Sequence, residues 1–202
     1  AFGSCAHEGC IPGLANLSGR EAIFDYVYKK SPSVDNPQGI VPQPEYEAPE
    51  GTLHIPVFYD TVKTLDQTVD VDYYVPGCPP EAENIYAIVK AVVAGLGGAP
   101  LPPPGTVLGK ETTVCDECAR TRAEKKITGF KRTWEMIPNE TDCLLEQGLV
   151  CLGLATRAGC GALCPKVNSP CIGCHGPNVE VEDFGARMMT ALASVIDSQD
   201  PV

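Results

Sequence analysis

No stretch of this 202-residue chain is apolar for the length a bilayer demands. That absence makes a soluble chain the expectation. Positive charge is scarce too: 15 Lys and Arg stand against 26 Asp and Glu, a net charge of −11. Such a surface argues against a general binder of nucleic acid, which needs cations to neutralise phosphates. There is no initiator Met. The chain starts at Ala1, and Ala-Phe-Gly-Ser-Cys reads as the end of a strand entering a loop, with no strand before it. N-terminal sequence is therefore expected to precede it, and the lack of a signal peptide excludes no compartment. Between residues 110 and 178 apolar periodicity is weak, so something besides side-chain burial must organise that stretch.

Sulfur is what that stretch has. Of eleven cysteines, eight fall between Cys115 and Cys174: Cys115-x2-Cys118, Cys143, Cys151, Cys160, Cys164 and Cys171-x2-Cys174. Three chemistries compete for them. Disulfides belong mainly to small secreted domains, and the odd total and apolar first half count against them. Zinc suits the two Cys-x2-Cys pairs, but these lie far apart with four single cysteines between them. Two [4Fe–4S] clusters, at four thiolates each, fit the count of eight and the irregular spacing. Gly148, Gly153, Gly159, Gly161, Gly173 and Gly176 crowd around the cysteines and would let backbone N–H groups approach sulfur. Cys164-Pro165 is a weak echo of ferredoxin ligand runs. A sequential partition puts Cys115, Cys118, Cys143 and Cys151 at one site, and Cys160, Cys164, Cys171 and Cys174 at the other.

The expected fold class is α/β over residues 1–109, followed by a largely irregular, helix-containing iron–sulfur domain over 110–202. Ser18-Gly-Arg-Glu21 fits a capping box, with Ile23, Phe24 and Val27 as an apolar stripe behind it. Leu53–Tyr59 reads as an edge strand, because Pro56 cannot donate to a ladder, and Thr68–Val75 as another strand. A helix over about 81–94 should bury Ala82, Ile85, Val89, Val92 and Val93 and end at Gly95. Ser31–Gly51 reads as a surface excursion and Leu101–Gly105 as the domain linker. A last helix, about 181–196, carries Phe184, Met188, Leu192 and Val195 on one stripe. Cys78 then lies in a loop between strand and helix, and Cys5 in a similar loop before the helix that begins near Gly19. Ligands bind at such strand ends in open α/β sheets, so the two could share one site.

Six of the basic residues crowd into 120–132: Arg120, Arg122, Lys125, Lys126, Lys131 and Arg132. They read as a solvated helical face, or as a docking or charge-compensating patch beside Cys115 and Cys118. Phe130 and Trp134 read as packing residues, His175 as a loop histidine satisfied by backbone or water rather than a hydrogen-bond donor to a cluster sulfide, and His54 carries no role.

The run from Cys143 to Pro165, Cys-Leu-Leu-Glu-Gln-Gly-Leu-Val-Cys-Leu-Gly-Leu-Ala-Thr-Arg-Ala-Gly-Cys-Gly-Ala-Leu-Cys-Pro, and Pro170-Cys-Ile-Gly-Cys-His-Gly-Pro177 closely resemble the small subunit of cytoplasmic [NiFe] hydrogenases. The branch it resembles is the methyl-viologen-reducing type, which associates with heterodisulfide reductase. Gly3-Ser-Cys-Ala6, Ile11-Pro-Gly-Leu-Ala-Asn16 and Pro76-Gly-Cys-Pro-Pro80 resemble the same family, so the likeness covers essentially the whole chain. It implies a partial flavodoxin-like domain before the cluster-binding domain, and three clusters in a line. The proximal cluster takes Cys5 and Cys78, with two further ligands in an N-terminal Cys-x2-Cys that this sequence lacks. Unless Cys10 or His7 substitutes, the chain as given cannot complete it; Cys10 reads as an ordinary loop thiol. The medial cluster takes Cys160, Cys164, Cys171 and Cys174, and the distal one Cys115, Cys118, Cys143 and Cys151. An all-thiolate distal site should lie at low potential.

The resemblance implies a large subunit that holds nickel, an iron–sulfur or flavin acceptor subunit (heterodisulfide reductase among the candidates), and no nucleic-acid partner. Acceptor and direction of hydrogen metabolism stay open. The rival is a scaffold whose zinc or iron–sulfur centres only hold subunits together. A quinone-linked relative with the proximal cluster alone is disfavoured by the eight extra cysteines.

Overall fold

The structure is a computed structural model that describes residues 1–124 and 126–197. From the N-terminus, Phe2 makes a parallel bridge to Val75. Three short helices follow: α1 (Ser4–Glu8), α2 (Cys10–Gly13) and α3 (Arg20–Asp25), the last prolonged by a wider turn over Tyr26–Lys30. A hairpin joins β1 (Glu45–Ala48) to β2 (Gly51–His54), Glu45 opposite His54. β3 (Tyr73–Tyr74) and β4 (Thr106–Val107) are parallel and are joined by α4 (Ala82–Leu96). A parallel pair linked through a helix is an α/β arrangement. Beyond it lie α5 (Val114–Glu117), α6 (Leu163–Lys166) and α7 (Phe184–Val195), separated by loops. No helix of the described residues is long and apolar enough to cross a membrane.

Several elements differ from expectation for local reasons. Ser18 lies one residue too early to cap α3; Gly19 is the N-cap and no side chain closes it. Cys5 lies inside α1 rather than in a loop. The edge strand stops at His54, before Pro56, whose missing N–H ends the ladder. Its partner β1 lies inside the stretch read as an excursion. Only Tyr73–Tyr74, with Val75 as a bridge, is extended in the expected 68–75 strand. Leu65–Gln67 is instead a turn closed by Thr64 and Gln67 as a capping box. Gly95 does not end α4. It sits where the returning chain crosses, and a Cβ there would meet Leu101 Cδ2 at 2.6 Å. Leu101–Gly105 is the return into β4, not a linker between domains: the Gly105 N–H bonds to the Asp72 carbonyl at 2.7 Å and the Tyr73 hydroxyl to that of Pro102 at 2.8 Å.

The core sits in the other half from the one expected. Within residues 1–109 only Ser4, Gly9, Val75, Pro76, Gly77 and Pro80 are buried. Val114, Leu144, Leu145, Leu149, Ala155, Ala158, Ala162 and Met188 form the apolar interior instead. The strands β3 and β4 are too short to cover α4, so Val89, Val92 and Val93 stay exposed while Ile85, Ile88 and Ala91 are half-buried. The accessible surface is 13590 Å². That is about one and a half times the roughly 9,100 Å² of a compact globular chain of this mass, so much apolar surface in the first half lacks a cover. α7 follows its pattern: Asp183 accepts the Ala186 N–H at 2.8 Å as N-cap, Met188 is buried, and Phe184, Leu192 and Val195 are half-buried.

Candidate metal centres

Cys115, Cys118, Cys143 and Cys151 line one cavity together with Arg120 and Arg122. Cys115 belongs to α5, whose start is fixed by a capping box: the Thr113 N–H and hydroxyl both reach Asp116 Oδ2 at 2.8 Å. Cys143 is held by its N–H on the Thr121 carbonyl, 2.8 Å. Cys151 Sγ accepts the Cys171 N–H at 3.3 Å. Burial pushes the Cys115 thiol up to about 12, the neighbouring Cys151 adds to it, and Arg122 opposes it. Burial likewise raises Cys151, against N–H bonds from Gly153 and Cys171. Half-buried thiols around one cavity resist ionising together without a cation among them; a bound metal would deprotonate them.

Cys160, Cys164, Cys171 and Cys174 line a second cavity, whose wall also includes Cys78 and His175. Val114, 1% exposed, stands in the walls of both cavities. Burial raises Cys171 to about 11 and Cys174 to about 12. It also raises Cys160, against N–H bonds from Ala162 and Leu163. The loop leading into Cys160 crosses Gly109 so closely that a Cβ on Gly159 (φ +125°) would lie 2.9 Å from the Gly109 Cα. Glu117 fixes it, accepting the N–H groups of Gly159 and Gly161 at 3.1 and 2.8 Å while paired with Lys110 at 2.6 Å. Two sets of four thiols, each with backbone N–H groups aimed at sulfur, fit the donor chemistry of an iron–sulfur cluster.

Cys5 and Cys78 are both exposed, at the strand-end face next to the second cavity. Cys10 joins them. Burial raises its thiol, and hydrogen bonding with Cys78 and the charge of Cys5 raise it further. That is not the isolated loop thiol expected. His7 packs on the Tyr74 ring instead, centroids 4.7 Å apart.

The basic stretch divides. Arg120 is a clamp: its guanidinium reaches the carbonyls of Pro165, Asn139 and Asp142 at 3.1, 2.7 and 3.0 Å, and Asn168 Oδ1 at 2.6 Å. Arg122 faces the first cavity. Lys126 bonds to the Ser194 carbonyl, and Lys125 lies outside the described residues. Lys131 and Arg132 border a surface hollow with Phe130 and Trp134. Trp134 is 80% exposed, so it is not a packing residue.

His175 also departs from expectation. It is fully buried, and its Nε2 lies 2.9 Å from both carboxylate oxygens of Glu81. Glu81, Cys160 and His175 bring an oxygen, a sulfur and a nitrogen within 4.8 Å of one another. Sequence reasoning assigned no role to Glu81, Ser4 or Glu8, because the contacts that matter (His175, the Cys174 carbonyl and Gly176) lie far along the chain.

Glu8 packs so tightly on Gly176 that a Cβ there would overlap its carboxylate. Burial raises its carboxyl from 4.5 to about 7, while His175 and Arg157 pull the other way. The folded state therefore favours the protonated acid. That contribution is fully present below about pH 4.5 and is lost as pH rises through about 7. The metal-free chain should lose stability across that window, and Glu8→Gln should remove much of the loss. Denaturant midpoints for both at intervals of pH check this; parallel curves would contradict it.

Residues 1–92 match the family described as NADH ubiquinone oxidoreductase, 20 Kd subunit. The chain is 46% identical over 205 residues to the iron-sulfur subunit of the F420-non-reducing hydrogenase of Archaeoglobus profundus, covering 99% of this chain and 63% of that protein. It is 38% identical to a subunit of the F420-non-reducing hydrogenase of Methanothermobacter thermautotrophicus, covering 96% and 58%. It is 28% identical to the delta subunit of Sulfhydrogenase 2 of Pyrococcus furiosus, covering 89% and 55%. The chain thus spans about 60% of the length of these relatives.

Proposed function

From this likeness to hydrogenase iron–sulfur subunits over nearly its whole length, we propose that the chain is the electron-transfer subunit of a [NiFe] hydrogenase, an oxidoreductase complex. The finer reading is the methyl-viologen-reducing type, with a flavodoxin-like part over 1–109, a cluster-binding part over 110–202, and a cytoplasmic site of action. The observation that carries it is the sorting of those eight cysteines, four to each of two cavities that share the Val114 wall, the second of them lined by Cys78 as well.

Each cavity would hold a [4Fe–4S] cluster, the distal one at Cys115, Cys118, Cys143 and Cys151, the medial one at Cys160, Cys164, Cys171 and Cys174. Cys5 and Cys78 would contribute to a third, proximal one. Bound clusters supply one-electron storage, carrying electrons from hydrogen split on a large subunit toward an iron–sulfur or flavin acceptor subunit such as heterodisulfide reductase. The chain's own residues do the rest. Thiolates bind, backbone N–H groups on sulfur tune the potential, and Arg120 and Arg122 offset negative charge at the distal site. No acid or base in the chain needs to move a proton. The uncovered apolar surface of the first half suits a subunit seated on a partner.

The grouping of Glu81, Cys160 and His175 favours one rival, a mononuclear zinc site in a scaffold subunit. Metal and sulfide analysis with EPR of the anaerobically purified complex separates the two. The expected result is iron and acid-labile sulfide in near-equal amounts, with signals that hydrogen reduces. Zinc at these cysteines without a reducible signal would leave only the scaffold.

A further inference from the structure

The basic stretch ends in two cations that the chain itself does not use. Among the described residues neither the Lys131 ammonium nor the Arg132 guanidinium meets a carboxylate, whereas Arg20, Lys29, Lys30 and Lys110 each do. Both cations border a surface hollow with apolar sides, formed by Phe130, Trp134, Val150 and Pro170. Its two edges are tied together: the Lys131 N–H bonds to the Gly148 carbonyl at 2.8 Å, and Lys131 bridges buried Leu149. A tight turn then holds out the indole. The Glu135 N–H bonds to the Arg132 carbonyl at 3.0 Å, and the Glu135 carboxylate accepts the Arg132 N–H at 2.6 Å. The Arg132 guanidinium lies 6.0 Å from the Trp134 ring centre.

An indole left 80% exposed gains little from its large apolar area within this chain. Trp and Arg are the residues most enriched where binding energy concentrates, and a side chain already fixed by its turn loses little freedom on binding. Charge then selects the partner. A net charge of −11 repels an acidic protein from most of this surface, and Lys131 with Arg132 reverses the sign locally. Leu149 and Val150, which line the hollow, run directly into Cys151, whose thiol lines the distal cavity.

We propose that this hollow is where the electron-accepting subunit docks, and that the segment it receives is acidic, with carboxylates for Lys131 and Arg132 around an apolar tip that packs on Trp134. This rests on the electron-transfer reading above. The docking is electrostatic and local, so salt weakens it, although two acidic proteins would otherwise repel each other less as salt rises.

The test uses the complex purified anaerobically with its acceptor subunit. Trp134 is the single tryptophan of the chain, so hydroxyl-radical footprinting reads it without ambiguity. Its oxidation should be several-fold lower in the intact complex than after salt has released the acceptor. A carbodiimide, which condenses an amine with a carboxylate, should join Lys131 to an Asp or Glu of that subunit. Lys131→Glu combined with Arg132→Glu should lower the salt needed for release several-fold, and Trp134→Ala should weaken retention at every salt. In both, iron content should be retained and hydrogen should still reduce the clusters. Equal oxidation of Trp134 in the two states overturns the proposal, as does release at an unchanged salt in the charge-reversed complex. A Lys131 crosslink to the large subunit or to a second copy of this chain overturns it too. A wild-type complex in which hydrogen reduces no cluster would instead overturn the electron-transfer reading, whereas footprint and crosslink report docking alone.

Discussion

Serine at Cys151 should leave the chain with about half of its iron. Of the roughly eight iron atoms that two cubes would bring, about four should go, with one reducible EPR signal. The thiol at Cys151 is one of four lining the distal cavity, and an alcohol at that position is a poor ligand for a soft iron–sulfide core. The medial signal should persist but shift, because the Cys171 N–H bonds to Cys151 Sγ at 3.3 Å and the Leu152 N–H returns a bond to the Cys171 carbonyl at 3.0 Å. Serine Oγ keeps an acceptor there, but shorter. Cys164→Ser should do the reverse, removing the medial signal and sparing the distal one. Iron analysis and EPR of the reduced variants decide it. Full iron in Cys151→Ser would break the assignment of that cysteine.

Alanine at Leu144 should be the costliest apolar change, about 2–5 kcal/mol. The side chain is 1% exposed, follows Cys143 directly and forms part of the distal cavity wall. Truncation there removes contacts that no solvent replaces and loosens the loop that carries Cys143. Val93→Ala, on a residue 62% exposed, should fall within about 0.5 kcal/mol of wild type. Denaturant titration of both variants, metal-free and loaded, measures the contrast. Equal losses would mean that the interior does not lie where the buried residues put it.

The legible parts of this chain were those whose information is local. α7 announced itself through Phe184, Met188, Leu192 and Val195, and α4 through its long Ala, Ile and Val content. The cysteine grouping was legible because four of the eight ligand candidates sit in two Cys-x2-Cys pairs, with the single ones between. Three residues were illegible for a common reason. Ser4, Glu81 and His175 acquire meaning only when segments 73 to 170 residues apart close on one another, and no periodicity encodes that. The face of α4 was misread because hydrophobic residues tell which side seeks a partner, not whether this chain supplies it. The hairpin hid in a stretch rich in Pro and acidic residues because its pairing rests on backbone bonds, with Tyr46 and Leu53 both exposed.

The placement of the core has a cellular consequence. Its apolar interior is wrapped around the two thiol cavities, so clusters bound there as proposed would brace the fold from within. A copy without them would be the less stable polypeptide, more open to the proteases that clear such chains. On that proposal, iron and sulfur supply would govern how many copies persist as well as how well each copy works.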